Sequence, residues 1–316
     1  MFYNSENLFD IYNDSLTNDD EFTPEGERKW NNYRFYKKLN NLSKVIIGIG
    51  EWNPPSVIGF CEVENRFVLN KLIYETPLKN FDYKIIHFES PDRRGIDVAM
   101  LYRKSRFEPV FYCPVPIQFP DNPESKTRDI LYVKGVLGGM DTVHFFVSHW
   151  PSRYGGYEDS KPRRMFVASV LRSKVDSIYN AVQNPNIIIM GDFNDEPWDE
   201  SIQNELKAKS DTISLRTDEL VSLMGLLKNL KTGTNKYQAE WSVIDQLIVS
   251  GNLLRGNNPI QVSKEGARIF QSSFLLEEDE THLGYKLNRT YIGPVYHGGF
   301  SDHLPVYLDL IFRKDE

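Results

Sequence analysis

The sequence predicts an α+β protein in which strands dominate and only a few helices lie between them. Short apolar runs of strand length recur along the chain, whereas only a few longer segments have helical periodicity. The strands and helices do not alternate strictly, so a mixed sheet or two packed sheets fit better than a doubly wound fold. No fixed-period repeat or low-complexity linker divides the chain, and we expect residues 1–316 to form a single domain.

The first third of the chain is predicted to contain a strand followed by an amphipathic helix. Residues 2–9 alternate weakly and predict the strand, and Pro24 and Gly26 mark a polar loop after it. Apolar side chains at spacings of three and four predict a helix within residues 27–50. The next predicted elements are a buried strand in 54–65, a helix in 65–78, and strands in 83–90 and 96–102.

The rest of the chain is predicted to continue with strands and one long helix. Four prolines predict a loop over residues 112–129, and Gly138 and Gly139 mark the turn of a hairpin. Residues 199–232 are predicted to be helical, and residues 251–297 show no clean periodicity. The other predicted elements are the hairpin strands 130–137 and 142–150, a helix over 161–182, and strands over 186–190, 239–250 and 303–312.

Composition and charge narrow the class of protein. Hydrophobic residues make up 40% and charged residues 26%, which is ordinary for a globular protein. The net charge of -7 counts against a protein that grips duplex DNA through many phosphates. The only cysteines, Cys61 and Cys113, cannot form a disulfide framework and match no zinc motif.

The sequence contains neither an apolar run long enough to cross a membrane nor a recognisable signal peptide. We therefore expect no stable membrane insertion and a soluble monomer. The chain opens directly in a predicted strand, which indicates that its N-terminus was trimmed, and a lost export signal would not be visible. The location therefore stays open between the bacterial cytoplasm and export after removal of an N-terminal signal.

Several predicted strands carry polar residues at one end. The run "IIIM" leads into Asp192 and Asn194, "VIGFC" leads into Glu62, and "HFFVS" leads into His149. Similar positions next to apolar runs are held by Asn4, Asp245, Asp302 and His303. Each residue alone has an ordinary structural interpretation, such as a turn, a helix cap or an exposed loop.

Together, these residues indicate a catalytic site rather than separate structural roles. Side chains at the ends of neighbouring strands can meet at one edge of a sheet. Carboxylate and amide oxygens suit Mg²⁺ or Mn²⁺ better than Zn²⁺. A hard divalent cation beside imidazole and carboxylate groups can catalyse the hydrolysis of a phosphate ester.

The motifs "GDFND" and "SDHLPV", with "YNSENLF" and "CEVEN" upstream, resemble those of the endonuclease/exonuclease/phosphatase superfamily. This group includes DNase I-like and exonuclease III-like nucleases, sphingomyelinases and inositol polyphosphate phosphatases. The motifs follow the family's order over residues 4–303, and "DRRGIDVAMLY" and "HWPSRYGG" resemble a bacterial branch. The resemblance implies a four-layer α/β/β/α sandwich of two packed mixed sheets, with the site at one end.

The resemblance also implies roles for the first set of residues. Glu62 is expected to be the principal ligand of Mg²⁺ or Mn²⁺, with Asn4 close to the metal and to substrate. Asp302 is a further candidate metal ligand. Asp192 is expected to orient or deprotonate the attacking water, and Asn194 to hold that water or a phosphate oxygen.

The same resemblance implies two carboxylate–imidazole pairs. Asp245 is expected to orient His149, which contacts the phosphate. Asp302 is expected to pair with His303, which contacts the scissile phosphate. The group that protonates the leaving oxygen stays open. Asp97 has no secure counterpart in the family, and we leave open whether it belongs to the site or is a buried structural carboxylate.

Three further residues are predicted to bind substrate. Arg153 follows His149 by four residues and precedes two glycines that allow close approach of a ligand. Arg94 lies in a loop near the motifs and can contact phosphate. Tyr291 precedes the last motif, where an aromatic ring could stack on a base, line a lipid or sugar pocket, or pack in the core.

These motifs leave three alternative functions for the protein. The first is a divalent-metal-dependent phosphodiesterase or nuclease. The second is a hydrolase of small or lipid-linked phosphoesters, which the acidic charge suits slightly better. The third is an inactive binding protein on the same scaffold, which is disfavoured because every expected motif residue is present.

Overall fold

The computed structural model describes residues 1–227, 233–255 and 258–313. The α-helices in these residues are α1 (Asn32–Gly50), α2 (Arg66–Tyr74) and α3 (Tyr157–Ala181). The strands are β1 (Phe2–Leu8), β2 (Val57–Val63), β3 (Tyr83–His87), β4 (Asp97–Arg103), β5 (Phe107–Val115), β6 (Ile130–Leu137), β7 (Asp141–His149), β8 (Asn186–Asp192), β9 (Ala208–Lys209), β10 (Leu220–Ser222), β11 (Asn235–Tyr237), β12 (Glu240–Ser242), β13 (Asp245–Ser250), β14 (Ile260–Ile269), β15 (Leu276–Glu278), β16 (Tyr285–Leu287), β17 (Tyr291–Ile292), β18 (Val295–Tyr296) and β19 (Val306–Phe312).

Two large mixed sheets form the middle of the molecule. The first has six strands in the order β14-β19-β1-β2-β4-β3, and the second has seven in the order β5-β6-β7-β8-β13-β10-β9. β1 and β2 are parallel in the first sheet, and β7 and β8 are parallel in the second. One buried apolar cluster lies between the sheets, and two others lie under the helices on the outer faces. This arrangement confirms the predicted four-layer sandwich.

Helix α1 forms because its sequence supplies both a cap and an apolar stripe. The Asn31 side chain accepts a hydrogen bond from the backbone N–H of Arg34, which satisfies a donor at the open helix end. Phe35, Leu39 and Leu42 follow at helical spacing and are buried against the first sheet. Helix α3 covers the second sheet in the same way.

The polar residues at one end of the sheets lie in the same side-chain rows that form the apolar core between the sheets. Side chains two residues apart on a strand point to the same face. Phe2, Val147, Met190 and Leu247 all lie in the apolar cluster between the sheets. Two residues further toward the same end, these strands carry Asn4, His149, Asp192 and Asp245. The polar group is therefore the continuation of the core rows.

Strand register places three of these residues side by side. His149 on β7 is opposite Asp192 on β8, and Asp192 is opposite Asp245 on β13. Cross-strand partners share a face of the sheet, so the three side chains form one row across the second sheet.

Most predicted elements are confirmed, but two predictions were wrong. Within residues 199–227 the structure has a π-helical turn at Ser201–Glu205, the short strands β9 and β10 and a 3₁₀ turn, rather than a continuous helix. The predicted loop over 112–129 begins inside β5. Residues 251–297, for which the lack of clean periodicity allowed no prediction, contain β14, a ten-residue strand. The rest of the first prediction, residues 228–232, lies outside the described residues.

A search of the described residues for a helix that is long and apolar enough to cross a membrane finds none.

Candidate active site

Asp192 lies at the centre of a buried polar group at one end of the two sheets. Its Oδ2 accepts a hydrogen bond from Asn4 Nδ2 at 3.0 Å, and its Oδ1 accepts one from the backbone N–H of Asn194 at 3.0 Å. The same Oδ2 lies 3.6 Å from His149 Nε2 and 3.7 Å from His303 Nε2. Asp192 is 2% exposed. Its carboxylate is therefore fixed between two imidazoles by partners on both sheets.

Asp245 orients His303. The two buried side chains meet with His303 Nδ1 2.7 Å from Asp245 Oδ2. Burial lowers the pKa of His303, but the carboxylates of Asp245 and Asp192 outweigh burial and raise that pKa well above its ordinary value. His303 is therefore a cation near neutral pH, and its Nε2–H lies on the side of Asp192.

His149 has the opposite electrostatic character. Burial, assisted by the positive charges of Arg128 and Arg94, lowers the pKa of His149 well below its ordinary value. Among the described residues its buried Nδ1 has no hydrogen-bond partner. The site therefore presents one neutral and one charged imidazole to the same carboxylate.

The carboxylate between the two histidines titrates near neutrality. Burial raises the pKa of Asp192 to about 7, although the charge on His303 opposes this rise. Asp245 keeps the proton on His303, so Asp192 is the group of the cluster that can gain or lose a proton at neutral pH. A carboxylate with such a pKa is suited to take a proton from water.

The structure corrects two pairings that the sequence predicts. Asp245 bonds to His303 rather than to His149, because β8 lies between β13 and β7 and separates Asp245 from His149. Asp302 makes no hydrogen bond to His303, since its Oδ1 is 4.0 Å from His303 Nε2, although its charge helps to raise the pKa of His303. Its Oδ2 instead accepts a hydrogen bond from Arg289 Nη2 at 2.9 Å.

Glu62, the predicted principal metal ligand, is aimed by a β-bulge in β2. The strand register shifts between Cys61 and Val63, and Glu62 has a φ of 58°. A left-handed backbone costs a non-glycine residue on the order of 1–3 kcal/mol and is commonest at functional sites. Glu62 Oε2 accepts a hydrogen bond from the Asn7 N–H at 3.0 Å, and Oε1 lies 3.9 Å from Arg94 Nη1.

A second bulge, in β1, brings Glu6 to the same end. The register shifts between Asn4 and Leu8, and Glu6 has a φ of 50°. Glu6 Oε1 accepts a hydrogen bond from Arg289 Nε at 3.1 Å, and Oε2 accepts one from the Thr290 N–H at 2.7 Å. Sequence analysis missed Glu6, which is buried to 4% exposure.

Lys38 reaches the same place from α1. It is fully buried, and its Nζ donates to Thr290 Oγ1 and to the Phe300 carbonyl, both at 2.6 Å. The same Nζ lies 3.6 Å from Glu6 Oε2. Burial lowers the pKa of Lys38, and the carboxylates around it oppose that shift. This fixed cation therefore stands behind Glu6.

Glu6, Glu62 and Asp302, here called the carboxylate cluster, offer oxygen donors of the kind that a hard divalent cation takes. Burial lowers the pKa of Arg289, but the carboxylates of Asp302, Glu6 and Glu62 outweigh burial and raise it. Glu62 and Asp302 keep 14% and 25% side-chain exposure, so their oxygens can be reached from solvent. Oxygen donors of this kind are those that Mg²⁺ and Mn²⁺ take in proteins.

The carboxylate cluster is not among the three groups of described residues whose potential ligand atoms lie within 4.8 Å of one another. Two of these groups are built around Asp192, whose oxygens accept hydrogen bonds from protein donors, as both oxygens of Glu6 also do. The three groups are Cys61, His149 and Asp192; Asp192, Asp245 and His303; and His87, Glu89 and Asp97.

Asn4, predicted beside the metal and the substrate, is used inside the protein instead. It is 1% exposed, its Nδ2 donates to Asp192, and its Oδ1 accepts the Glu6 N–H at 2.9 Å. Asn4 therefore fixes the orientation of Asp192.

Arg153, predicted to touch substrate, holds the loop that carries Asn194. Arg153 Nε donates to the Asn194 carbonyl at 2.6 Å, and Nη2 donates to Asp199 Oδ2 at 3.0 Å. Asn194 has a φ of 52°, which asparagine tolerates better than most residues. Its Nδ2 donates to the Trp150 carbonyl at 3.1 Å, so its backbone N–H is held toward Asp192.

Of the other two residues predicted to bind substrate, Arg94 lies beside the site and Tyr291 does not. Arg94 lies on the rim beside Glu62 with 48% of its side chain exposed, as expected for a residue that can meet substrate. Tyr291 is buried, its ring packs near that of Trp30, and its hydroxyl donates to the Arg28 carbonyl at 2.8 Å. Tyr291 therefore packs in the core, which was one of the alternatives predicted for its ring. These contacts do not bring Tyr291 to the site.

Asp97 has a structural environment. It is buried, its Oδ2 lies 3.0 Å from His87 Nε2, and its Oδ1 accepts the Ser90 N–H at 2.8 Å. These bonds fix the start of the segment that leads to Arg94.

Arg164 and Asp195 form a buried ion pair that sequence analysis missed. Arg164 Nε lies 2.7 Å from Asp195 Oδ1, and both side chains are at most 1% exposed. Asp195 Oδ2 also accepts a hydrogen bond from Ser201 Oγ at 2.6 Å. The pair anchors the turn after Asp192 to α3, and the second aspartate of "GDFND" was its only signal.

Comparisons with known proteins identify the family and the fold. Residues 1–312 match the model of a family described as the endonuclease/exonuclease/phosphatase family. No curated protein matches the chain in sequence.

Solved structures with low sequence identity share the fold. A Bacteroides thetaiotaomicron protein described by the same family name is 17% identical, with 99% of this chain and 94% of that chain covered and a TM-score of 0.59. The mannosyl-6-phosphatase of that organism is 16% identical, with 98% of each chain covered and a TM-score of 0.61. The catalytic domain of human Nocturnin is 17% identical, with 98% and 93% covered and a TM-score of 0.54.

Proposed function

Because this chain belongs to the endonuclease/exonuclease/phosphatase family, a group of phosphoester hydrolases, we propose that it hydrolyses a phosphoester with the help of a divalent cation. The observation that carries the proposal is the position of Asp192 Oδ2, 3.6 Å from His149 Nε2 and 3.7 Å from His303 Nε2. A carboxylate can take a proton from water there while the imidazoles bind the phosphate.

In the proposed reaction Asp192 is the general base. Its two oxygens are held by Asn4 Nδ2 and by the Asn194 N–H, so the carboxylate needs no reorganisation before it accepts a proton.

The two histidines bind the phosphate in different ways. His303 is a cation held by Asp245, and it stabilises negative charge that develops on the phosphate oxygens. His149 is neutral and contributes a hydrogen bond rather than a charge.

Glu62 and Asp302 are the proposed ligands of Mg²⁺ or Mn²⁺, with Glu6 behind them. When bound, such an ion neutralises charge on the phosphate in the transition state.

Charge favours a small phosphoester over nucleic acid as substrate. Net charge is -7, and arginines near the site already have protein partners. Arg128 pairs with Asp92 at 3.1 Å, and Arg153 pairs with Asp199 at 3.0 Å. Proteins that hold a nucleic acid backbone need accessible cations for several phosphates. That the mannosyl-6-phosphatase shares the fold is compatible with this preference.

A nuclease is the second candidate. Arg94 favours it, because this half-exposed guanidinium on the rim can reach a flanking phosphate of a longer substrate.

A hydrolysis panel with Mg²⁺ or Mn²⁺ tests the proposal. Its substrates are plasmid DNA, an abasic duplex, sphingomyelin, sugar and inositol phosphates, p-nitrophenyl phosphate and bis-p-nitrophenyl phosphate. We expect turnover of a small ester that needs the cation and is lost in Asp192→Asn. Cleavage of DNA that is lost in the same variant would establish the nuclease, and inactivity of a folded protein on every ester would leave the binding-protein alternative.

A further inference from the structure

Arg289 occupies the centre of the carboxylate cluster. Its Nε donates to Glu6 Oε1 at 3.1 Å, and its Nη2 donates to Asp302 Oδ2 at 2.9 Å. One guanidinium thus takes an oxygen from each of two carboxylates, and the third, Glu62, acts on it electrostatically. An arginine fork suits such paired contacts.

The charges of this region are nearly balanced without a metal. Glu6, Glu62 and Asp302 supply three negative charges, which Lys38, Arg289 and, on the rim beside Glu62, Arg94 balance with three positive ones. A divalent cation added to this set would leave a net positive charge in a partly buried place. Outward movement of one monovalent cation reduces that excess.

We propose that Arg289 holds the cation position of the carboxylate cluster until a divalent ion binds, and that this competition sets the affinity for the ion. The inference rests on the proposed divalent-cation function. In it, Arg289 is a positioning residue that keeps Glu6 and Asp302 in place and yields Asp302 Oδ2 to the metal.

Side-chain exposure indicates that Arg289, rather than Lys38, moves away from the carboxylates when a divalent ion binds. Lys38 is 1% exposed and held by two acceptors at 2.6 Å, so it has no path to solvent. The Arg289 side chain is 39% exposed and lies in the segment between β16 and β17, so its guanidinium can swing outward.

Binding of Mn²⁺ alone, followed by the electron paramagnetic resonance signal of the free ion, tests this inference without any substrate. Arg289→Met removes the competing charge and keeps much of the side-chain volume. We expect its Mn²⁺ dissociation constant to fall roughly tenfold, since one charged hydrogen-bonded pair no longer has to be broken. Arg216→Met is the matched control, because Arg216 is 66% exposed and pairs with Asp218. Its Mn²⁺ affinity should equal that of the wild type.

Thermal unfolding gives a second readout. In EDTA, Arg289→Met should melt below the wild type because buried Glu6 loses a partner, and Mn²⁺ should raise its melting temperature by more than that of the wild type. Arg289→Gln, which keeps a donor for the carboxylates, replaces the methionine variant if that protein does not fold.

The outcomes separate the inference from the function on which it rests. Tighter Mn²⁺ binding by the Arg289 variant, with an unchanged Arg216 variant, supports the exchange. Equal or weaker binding by the Arg289 variant, with a wild type that binds Mn²⁺, overturns the exchange alone. A wild type and an Arg289 variant that both fail to bind Mn²⁺ overturn the divalent-cation function as well.

Discussion

Asp245 Oδ2 lies 2.7 Å from Nδ1 of His303, and this contact joins the two sheets at the site. Asp245 begins β13 of the seven-stranded sheet, whereas His303 precedes β19 of the six-stranded sheet. The carboxylate holds the charge on His303, so the packing of the sheets and the protonation of the site depend on one another.

Replacing Asp245 by asparagine should remove the charge on His303 without removing the ring. We expect kcat to fall on the order of 100-fold, because an amide cannot stabilise the imidazolium. NMR titration should show a lower pKa for His303. In His303→Gln the further change at Asp245 should cost little, and full additivity of the two changes would contradict a paired role.

Asp192→Asn should nearly abolish turnover while the fold remains. The expected loss is on the order of 10²–10⁴-fold, the usual contribution of a general base. Steady-state hydrolysis of the best panel substrate measures the loss, and circular dichroism checks the fold. Asp218→Asn makes the same chemical change at an exposed position and should keep full activity. Near wild-type turnover by Asp192→Asn would sink the assignment of the base.

Glu62→Gln should raise the Mg²⁺ concentration that gives half-maximal activity by roughly tenfold, since one charged ligand is lost. A magnesium titration of the hydrolysis rate measures this shift. An unchanged half-maximal concentration would remove Glu62 from the metal site.

The stability of the protein should fall on acidification between pH 6.5 and 4 because of His144. Burial, followed by the charge of Lys134, lowers the pKa of His144 to about 4, and its Nδ1 lies 2.7 Å from the Tyr132 hydroxyl. The unfolded chain binds a proton there at a higher pH, so the folded state loses up to about 3 kcal/mol as pH falls through this range. Urea unfolding at several pH values measures the slope. His144→Gln should flatten it, and an unchanged slope would assign the acid sensitivity to other groups.

Arg164→Met should destabilise the protein by about 3–5 kcal/mol, because Asp195 keeps a buried charge without its main partner. Urea denaturation measures the free energy of unfolding. The exposed Arg216→Met is the control, and its effect should stay below about 1 kcal/mol. A similarly small effect at Arg164 would mean that Arg153, 3.5 Å from Asp195, is a sufficient partner.

The strand-end residues could be predicted from sequence because local patterns determine them. Apolar runs predict β2, β7 and β8, and a two-residue period puts Asp192 on the core face beyond Met190. The partner of Asp245 could not be predicted in this way. It depends on β8 lying between β13 and β7, and strand order is a property of the whole sheet.

Two missed features have different explanations. Lys38 lies three residues after Phe35 and four before Leu42, on the apolar stripe of α1, so its position alone indicated a buried cation. The prediction that residues 199–232 are helical and polar was wrong because tertiary packing overrides local propensity there. Leu206, just after the π-helical turn, and Leu220, on β10, are buried from separate short elements.

The row of His149, Asp192 and Asp245 lies across three hydrogen-bonded strands. The residues proposed for the reaction can therefore be kept in evolution while residues that determine the substrate change. The row is held by backbone pairing and by Asn194, so segments that do not support Asn194 can change without moving it. A lineage with this scaffold can exchange those segments and acquire new substrates step by step. A deletion of one residue inside β8, in contrast, turns Asp192 to the opposite face and ends the reaction at once.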